Sequence, residues 1–340
     1  MQKSPSIAVI IVNYNGSDCL QRCLCTLKAQ SRPPEKIILV DNGSTDGSAD
    51  RAVKMCPGIE IFRLDSNLGF AKASNLGVQA ANGVEWVVLL NNDAFCDPTW
   101  LENLVDAIEK YPQFSSFASR IVSHQDPNIL DSAGDVYHVC GFAWKRLHGQ
   151  AETEFGKRPL EVFSASGTAA VYKRSVFLEL GGFDEDFFCY FEDVDLGFRL
   201  HLAGHRVLFV PTALVHHLGS KTWGEKSDLC LYYGHRNLIW TFFKNMPAPL
   251  LAWYLPQHLL FNLLVLAWYT ARGQGRAVFR AKIDAILGLP AFLKKRRMVQ
   301  KTRKASSFGI RRLMARGLTL PYASSRFMFI RPDLCSLHKT

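Results

Sequence analysis

Between Gly181 and Arg199 the chain reads GGFDEDFFCYFEDVDLGFR, with six carboxylates (Asp184, Glu185, Asp186, Glu192, Asp193, Asp195) set among six aromatics. Carboxylates packed among rings lose hydration of the charged form. Their pKa then rises toward the range a general base needs near neutral pH. The same residues also read as a solvated acidic loop with aromatic anchors, and this stretch alone leaves both readings open. The Gly pair and the Phe-Asp-Glu-Asp run predict a turn and a loop. After Tyr190, acidic residues followed by Leu196, Leu200 and Ala203 at helical spacing predict the start of a helix. Three more polar clusters precede it: Asn13 with Asn15, Asp41 with Asn42, and Asn91, Asn92 and Asp93.

Each of these three clusters follows a short apolar run. Ile7–Val12, Lys36–Val40, Ile59–Leu64 and Trp86–Leu90 read as buried strands. Helices are expected over Cys19–Gln30, Ala49–Met55, Ala71–Ala80 and Trp100–Lys110. Four strand–helix alternations in about 93 residues predict a parallel sheet covered by helices, with ligands at the carboxyl ends of its strands. Neither GxGxxG nor GxxxxGK[ST] is present, which argues against a dinucleotide fold and a P-loop. Residues 113–162 are expected to form strands and loops over the site. Glu161–Tyr172 reads as one small-residue strand, and Ser175–Gly181 as a helical turn. Val207–Val210 reads as a short strand before His216 and His217.

The 340 residues carry a net charge of +10, distributed unevenly. Residues 271–340 hold 17 Lys or Arg against Asp284 and Asp333, so residues 1–270 are mildly acidic. Such asymmetry points the tail at an anionic partner, a membrane surface or a nucleic acid. The nine cysteines show no zinc spacing, and nothing before the first strand resembles a signal peptide; reduced thiols in the cytosol are expected.

The ordered pieces VNYN, VDNGSTDGS, NLGFAKASNLG, LLNND, SGTAAVYKRSVFLELGGFDEDFFCYFEDVDLGFRL and PTALVHHLGS resemble the family 2 glycosyltransferases, and within them the bacterial rhamnosyltransferase type. The resemblance covers roughly residues 5–245. It implies a GT-A fold: a Rossmann-like α/β domain with a mostly parallel sheet flanked by helices. It also implies an inverting, metal-dependent hexosyltransferase using a nucleotide-diphosphate sugar, with dTDP-rhamnose favoured. Asp41 is implied at the base and ribose of the donor, with Asn13, Tyr14, Asn67, Asn75 and Asn92 around it. LLNND resembles the metal-binding DxD, with Asn91 where the first Asp often stands. Asp93 is then the implied ligand of Mg²⁺ or Mn²⁺, hard cations suited to carboxylate and diphosphate oxygens. Glu192-Asp193 resembles the ED motif, with Asp193 as the base that deprotonates the acceptor. His217 matches the histidine that helps hold metal or diphosphate, and strand alternation admits only one of His216 and His217 to the site. Structural alternatives stand beside these roles: Asp41, Asp93 and Asp193 are each suited to capping a helix.

Residues 1–245 are accordingly read as the catalytic domain. Residues 246–340 are read as a hydrophobic, then basic, helical region for membrane association. Asn245–Ala271 contains no Asp, Glu, Lys or Arg, and Leu250–Tyr269 is apolar at 16 of 20 positions. Its aromatic ends suit a membrane helix. Pro256, Gln257, His258 and Asn262 argue against a simple span, and a span would place the basic tail against the positive-inside rule. An interfacial or re-entrant helix is preferred, followed by Arg276–Arg316 on anionic lipid, with a buried core helix and a true span as alternatives. The expected acceptor is a lipid-linked or cell-envelope glycan at the cytoplasmic face of the inner membrane. Tyr232–Asn237 is expected near it. No recognition module accompanies KKRRMVQKTRK, so nucleic acid is not expected as a partner. The rivals are a non-catalytic scaffold or nucleotide-binding protein of the same fold and, more remotely, a nucleotidyltransferase. The last would need a Gly-rich basic loop that VNYNGSDC lacks.

Overall fold

A computed structural model describes residues 4–151, 157–219 and 227–317. The first half alternates as expected: β1 (Ile7–Asn13), α1 (Ser17–Lys28), β2 (Lys36–Asp41), α2 (Ser48–Met55), β3 (Glu60–Arg63), α3 (Phe70–Ala80) and β4 (Trp86–Asn91). Then come β5 (Ala94–Cys96), α4 (Trp100–Lys110), β6 (Ser116–Ser123), β7 (Leu130–Ser132), β8 (Asp135–Tyr137), β9 (Ala143–Lys145), β10 (Leu160–Val162) and β11 (Ala169–Lys173). They are followed by α5 (Arg174–Glu179), α6 (Glu192–Leu202), β12 (Val207–His217), α7 (Asp228–Asn245), α8 (Ala248–Ala271), α9 (Gly275–Lys301) and α10 (Ser307–Leu313).

The main sheet runs β10-β12-β6-β11-β4-β1-β2-β3, with β5 beside β12 and β7 beside β6. β3, β2, β1 and β4 are parallel to one another, as are β6 and β12, while β11 runs antiparallel between β4 and β6. This is the expected mostly parallel sheet flanked by helices. Alternation along β1 shows why its residues are apolar throughout. Ile7, Val9 and Ile11 join one buried cluster with α1 and α4, while Ala8 and Ile10 join another with α3 and α6.

Three expectations need correction. Residues 113–162 do not all lie over the site, because β6 is a central strand flanked by β12 and β11. Six of its eight residues are buried, as expected of a strand covered on both faces. Glu161–Tyr172 is not one strand: Leu160–Val162 lies at the sheet edge and Ala169–Lys173 at its centre. The small residues between them, Ser164 to Thr168, make the crossing and bring backbone to the cavity. Val207–Val210 is only the first part of an eleven-residue strand, whose register against β6 shifts between Val210 and Leu214, around Pro211. All eight described cysteines are free.

The helices after residue 245 pack on the rest of the molecule. Phe142, Phe187, Trp240, Phe261, Val278 and Phe292 share one apolar cluster, and a second joins Phe198 to Tyr254 and Ile310. Along α8, Leu250, Tyr254, His258, Phe261, Val265 and Tyr269 recur at helical spacing and are buried. The opposite face exposes Trp253 (77%), Leu263 (65%) and Trp268, and α9 also exposes Ile286 and Leu287 (72%). The α8 helix is long and apolar enough to cross a membrane by length and composition, with only 33% of its most apolar window buried. Residues 318–340 of the proposed membrane region lie outside the described residues.

Candidate active site

A cavity of about 320 Å³ opens at the carboxyl ends of β1, β2, β4 and β12. One wall is built by strand ends. β12 pairs with β5 so that His217 faces Ala94, the residue after Asp93. His217 Nε2 stands 3.3 Å from Asp93 Oδ1, and its Nδ1 stands 3.0 Å from Asp131 Oδ2. Alternation turns His216 the other way, edge-on to His124. Burial opposes charge on His217, but its hydrogen bonds to Asp131 and Asp93 outweigh burial and push its pKa up to about 9. Burial likewise opposes charge on Asp131. Hydrogen bonds from His148 and His217, with the nearby Lys145, still hold its carboxyl well below the usual range. Lys145 reaches Asp131 at 2.9 Å from the end of β9 and also lines the cavity.

Among the described residues no group of three or more His, Cys, Asp or Glu side chains forms a complete metal cage. Asp93 and His217 nonetheless stand side by side, and release of the Nε2 proton would add a ring nitrogen to the carboxylate oxygen. Asp131 occupies the other ring nitrogen and so orients the histidine, as carboxylates behind metal-bound histidines do. This donor set fits a hard divalent cation that completes its shell with diphosphate oxygens and water.

The other wall is the acidic centre. Phe188, Cys189, Tyr190, Phe191, Glu192 and Asp193 all line the cavity. The carboxylate of Asp193 accepts from Gly167 N–H at 2.7 Å and from Val194 N–H at 2.8 Å. Burial pushes its pKa up, and these two backbone donors partly offset that rise. Glu192 is raised well above the ordinary carboxylate range, first by burial and then by the charge of Asp193. Glu192 Oε2 has no hydrogen-bond partner among the described residues. Two adjacent buried carboxylates of which one stays protonated can hold or accept a single proton at the cavity.

Tyr14, Asn67 and Asn92 also line the cavity. Asn13 and Asp41 stand one layer behind. Asn13 Nδ2 donates to Asp41, Ser44 and Ser48, and Asn13 Oδ1 accepts from Asn92 at 2.9 Å. Asp41 faces Arg63 at 3.7 Å, and its neighbour Asn42 forms the cavity wall and donates to Asn67. Asn75 is not brought to the cavity. It braces the acidic turn, bonding both N–H and C=O of Phe183. None of Asp41, Asp93 and Asp193 serves as an N-cap, since Gly47, Thr99 and Phe191 hold those positions at α2, α4 and α6. Tyr233, in the Tyr232–Asn237 stretch, stacks on Phe188 at the cavity wall, 5.1 Å between ring centroids.

Sequence reasoning placed Asn42 with Asp41 at a strand end but gave it no role of its own, and it missed Asp131 and Lys145. The last two lie in the irregular stretch where no periodicity locates a side chain. The apolar run at Phe188–Phe191 was visible, but its use as a wall was not. Gly69 has φ +88°, and a Cβ there would meet Phe188 O and its ring at 2.6 Å. The glycine lets α3 begin directly under that wall.

Residues 8–181 match the family described as Glycosyl transferase family 2. The N-acetylglucosaminyl-diphospho-decaprenol L-rhamnosyltransferase of Mycobacterium tuberculosis is 32% identical over 240 residues, covering 64% of this chain and 77% of that protein. The O-antigen chain rhamnosyltransferase RfbN of Salmonella typhimurium is 28% identical, covering 62% of this chain and 66% of its own. Among solved structures, GalNAc-T7 with UDP, GalNAc and Mn²⁺ superposes with a TM-score of 0.57 at 19% identity. That match covers 72% of this chain and about half, 48%, of GalNAc-T7. The likeness extends to the GT-A-type fold.

Proposed function

The chain belongs to glycosyl transferase family 2, and on that premise we propose that it moves a hexose, rhamnose foremost, from a nucleotide-diphosphate donor to a lipid-linked or cell-envelope glycan, with inversion. The observation that carries the reading is the meeting of two chemistries in one cavity. The Asp93–His217 pair lies on the strand-end wall and the buried Asp193 on the acidic wall. Asp193 is the base: it takes the proton of the acceptor hydroxyl as the hydroxyl oxygen attacks the anomeric carbon. The bond to the diphosphate breaks, and that group leaves with the electron pair. Glu192 carries a shared proton beside it, and its charge state sets that of Asp193. Asn42, Asn67 and Tyr14 line the donor side, with Asn13, Asp41 and Asn92 holding that side in shape. Asp93 and His217 would hold Mg²⁺ or Mn²⁺, which when bound supplies positive charge for the leaving diphosphate.

dTDP-rhamnose is favoured because two relatives are named rhamnosyltransferases. The acceptor follows from the first relative's lipid-diphosphate name. The apolar outer face of α8 and α9, flanked by Arg272, Arg276, Arg280 and Lys294, is proposed to rest on an anionic membrane at its cytoplasmic side. Residues 1–245 then form the catalytic unit and 246–340 the membrane-associating one.

The test is release of nucleotide from a panel of UDP-, GDP- and dTDP-sugars with Mg²⁺ or Mn²⁺, comparing wild type with Asp93→Ala. One diphosphate, expected to be dTDP, is released by wild type, and the variant loses about 10²-fold or more. If no nucleotide diphosphate is released or bound by the wild type, the reading is wrong.

A further inference from the structure

The turn that leads into α6 is strained, and a distant helix holds the strain. Phe188 has φ 65° and ψ −65°, and Cys189 N–H donates to Phe187 O at 2.8 Å across it. This is the rare γ-turn geometry that L-residues avoid. Tyr190 (φ 67°) and Phe191 (φ 70°) follow in the left-handed region. None of the three is glycine, so each sits in an unfavourable backbone state that persists only where its surroundings over-determine it.

Asn237, on α7, supplies those surroundings. Its side chain is fully buried, and Nδ2 donates to Phe187 O at 3.0 Å, Cys189 O at 2.9 Å and Tyr190 O at 2.7 Å. An amide has two N–H bonds, so one of them is shared between two carbonyls. Asn237 Oδ1 accepts from Arg236 Nε at 3.0 Å, which settles the orientation of the amide. Arg236 Nη2 then grips Asp186 O and Phe187 O. The remaining carbonyl, Phe188 O, accepts from Ala71 N–H at 3.1 Å. Every carbonyl from Asp186 to Tyr190 thus has a donor from outside the turn; Asn237 reaches three of them, sharing Phe187 O with Arg236 and holding Cys189 O and Tyr190 O by itself. The turn is also the cavity wall, and Glu192 and Asp193 follow it immediately.

We infer that Asn237 is a positioning residue for the transfer reaction, fixing the strained turn that sets where Asp193 stands against the acceptor. This rests on the reading of Asp193 as the base. Without the amide, Cys189 O and Tyr190 O lose their donor, Phe187 O keeps only Arg236 from outside the turn, and the turn relaxes toward ordinary backbone. A base displaced by about 1 Å loses on the order of 10²-fold in rate. The donor side, carried by the ends of β2, β4 and β12, is left in place. Asn237 therefore acts on kcat rather than on donor binding.

The experiment uses full-length protein with dTDP-rhamnose and Mg²⁺. It compares Asn237→Ala, Asn237→Gln and Asp193→Asn with wild type, reading nucleotide release, dTDP affinity by calorimetry, and amide hydrogen exchange over residues 187–193. Asn237→Ala is expected to lose at least about tenfold in kcat, to bind dTDP within about threefold of wild type, and to exchange faster over 187–193. Asn237→Gln, which keeps the amide, recovers part of the rate. Should Asn237→Ala not fold, Asn237→Ser, which keeps one donor, takes its place. Unchanged exchange over 187–193 overturns the inference. So does a wild-type kcat in Asn237→Ala beside an inactive Asp193→Asn, or a loss of dTDP affinity that matches the loss of kcat. If Asp193→Asn itself keeps the wild-type rate, the assignment of the base has failed, and the exchange data still decide whether Asn237 holds the turn.

Discussion

Asp93 and His217 meet because strands pair in register, whereas Asp193 reaches the same cavity through a turn held in shape by Asn237 of α7, 47 residues beyond Tyr190. On the strand-end wall the positions follow from backbone ladders, and Asp131 adds only an orientation. On the acidic wall the backbone is unfavourable by itself. Its geometry depends on α7, and on the buried Lys244, which bonds Asp184 at 2.7 Å and Asp195 at 2.9 Å. Lys295 of α9 also pairs with Asp184. Through Lys295, α9 of the helical extension also braces the acidic wall, besides belonging to the proposed route to the membrane.

The largest test of this contrast is Asp193→Asn, which keeps shape and removes the proposed base. Nucleotide release should fall about 10²- to 10⁴-fold with the fold intact by circular dichroism. Wild-type kcat/KM should also fall as the pH drops through a value above the ordinary aspartate range. Burial raises the Asp193 pKa, and only the deprotonated form accepts a proton. An activity that stays flat down to pH 4 would remove Asp193 from the role.

A smaller effect is expected where α3 meets the acidic wall. Gly69→Ala places a Cβ 2.6 Å from Phe188 O at φ +88°. Denaturant unfolding should show a loss of about 1–3 kcal/mol, and the acidic wall should exchange hydrogen faster. An unchanged unfolding midpoint would mean that the turn yields easily and is not held as described.

The smallest structural effect belongs to Leu263→Ser combined with Leu287→Ser, both far out on the exposed face. Stability should change by no more than about 0.5 kcal/mol per site, while co-sedimentation with anionic vesicles drops. Retained vesicle binding would sink the proposed membrane face, and a large loss of stability would show that this face is packed rather than free.

Much of the fold was legible because its signals are local. Ile7–Val12 and Trp86–Leu90 are continuous β-branched and apolar runs, and only a strand covered on both faces asks for that. The polar residues just past them mark the ligand-binding end of a parallel sheet. Glu161–Tyr172 misled because a run of small residues reads alike whether it continues a strand or crosses between two. Asp131 and Lys145 gave no signal, since an isolated charge in irregular chain has no period to locate it.

By itself, the sequence determined the alternating architecture, the family, and the chemical types gathered at the strand ends, because periodicity and motif order are properties of neighbouring residues. Only the tertiary structure decided that His217 rather than His216 faces Asp93, that Asn75 braces a turn instead of lining the cavity, and that Asn237 grips three carbonyls of the acidic wall. Each of those depends on a partner tens of residues or more away, and such a contact exists only once the sheet and α7 have packed.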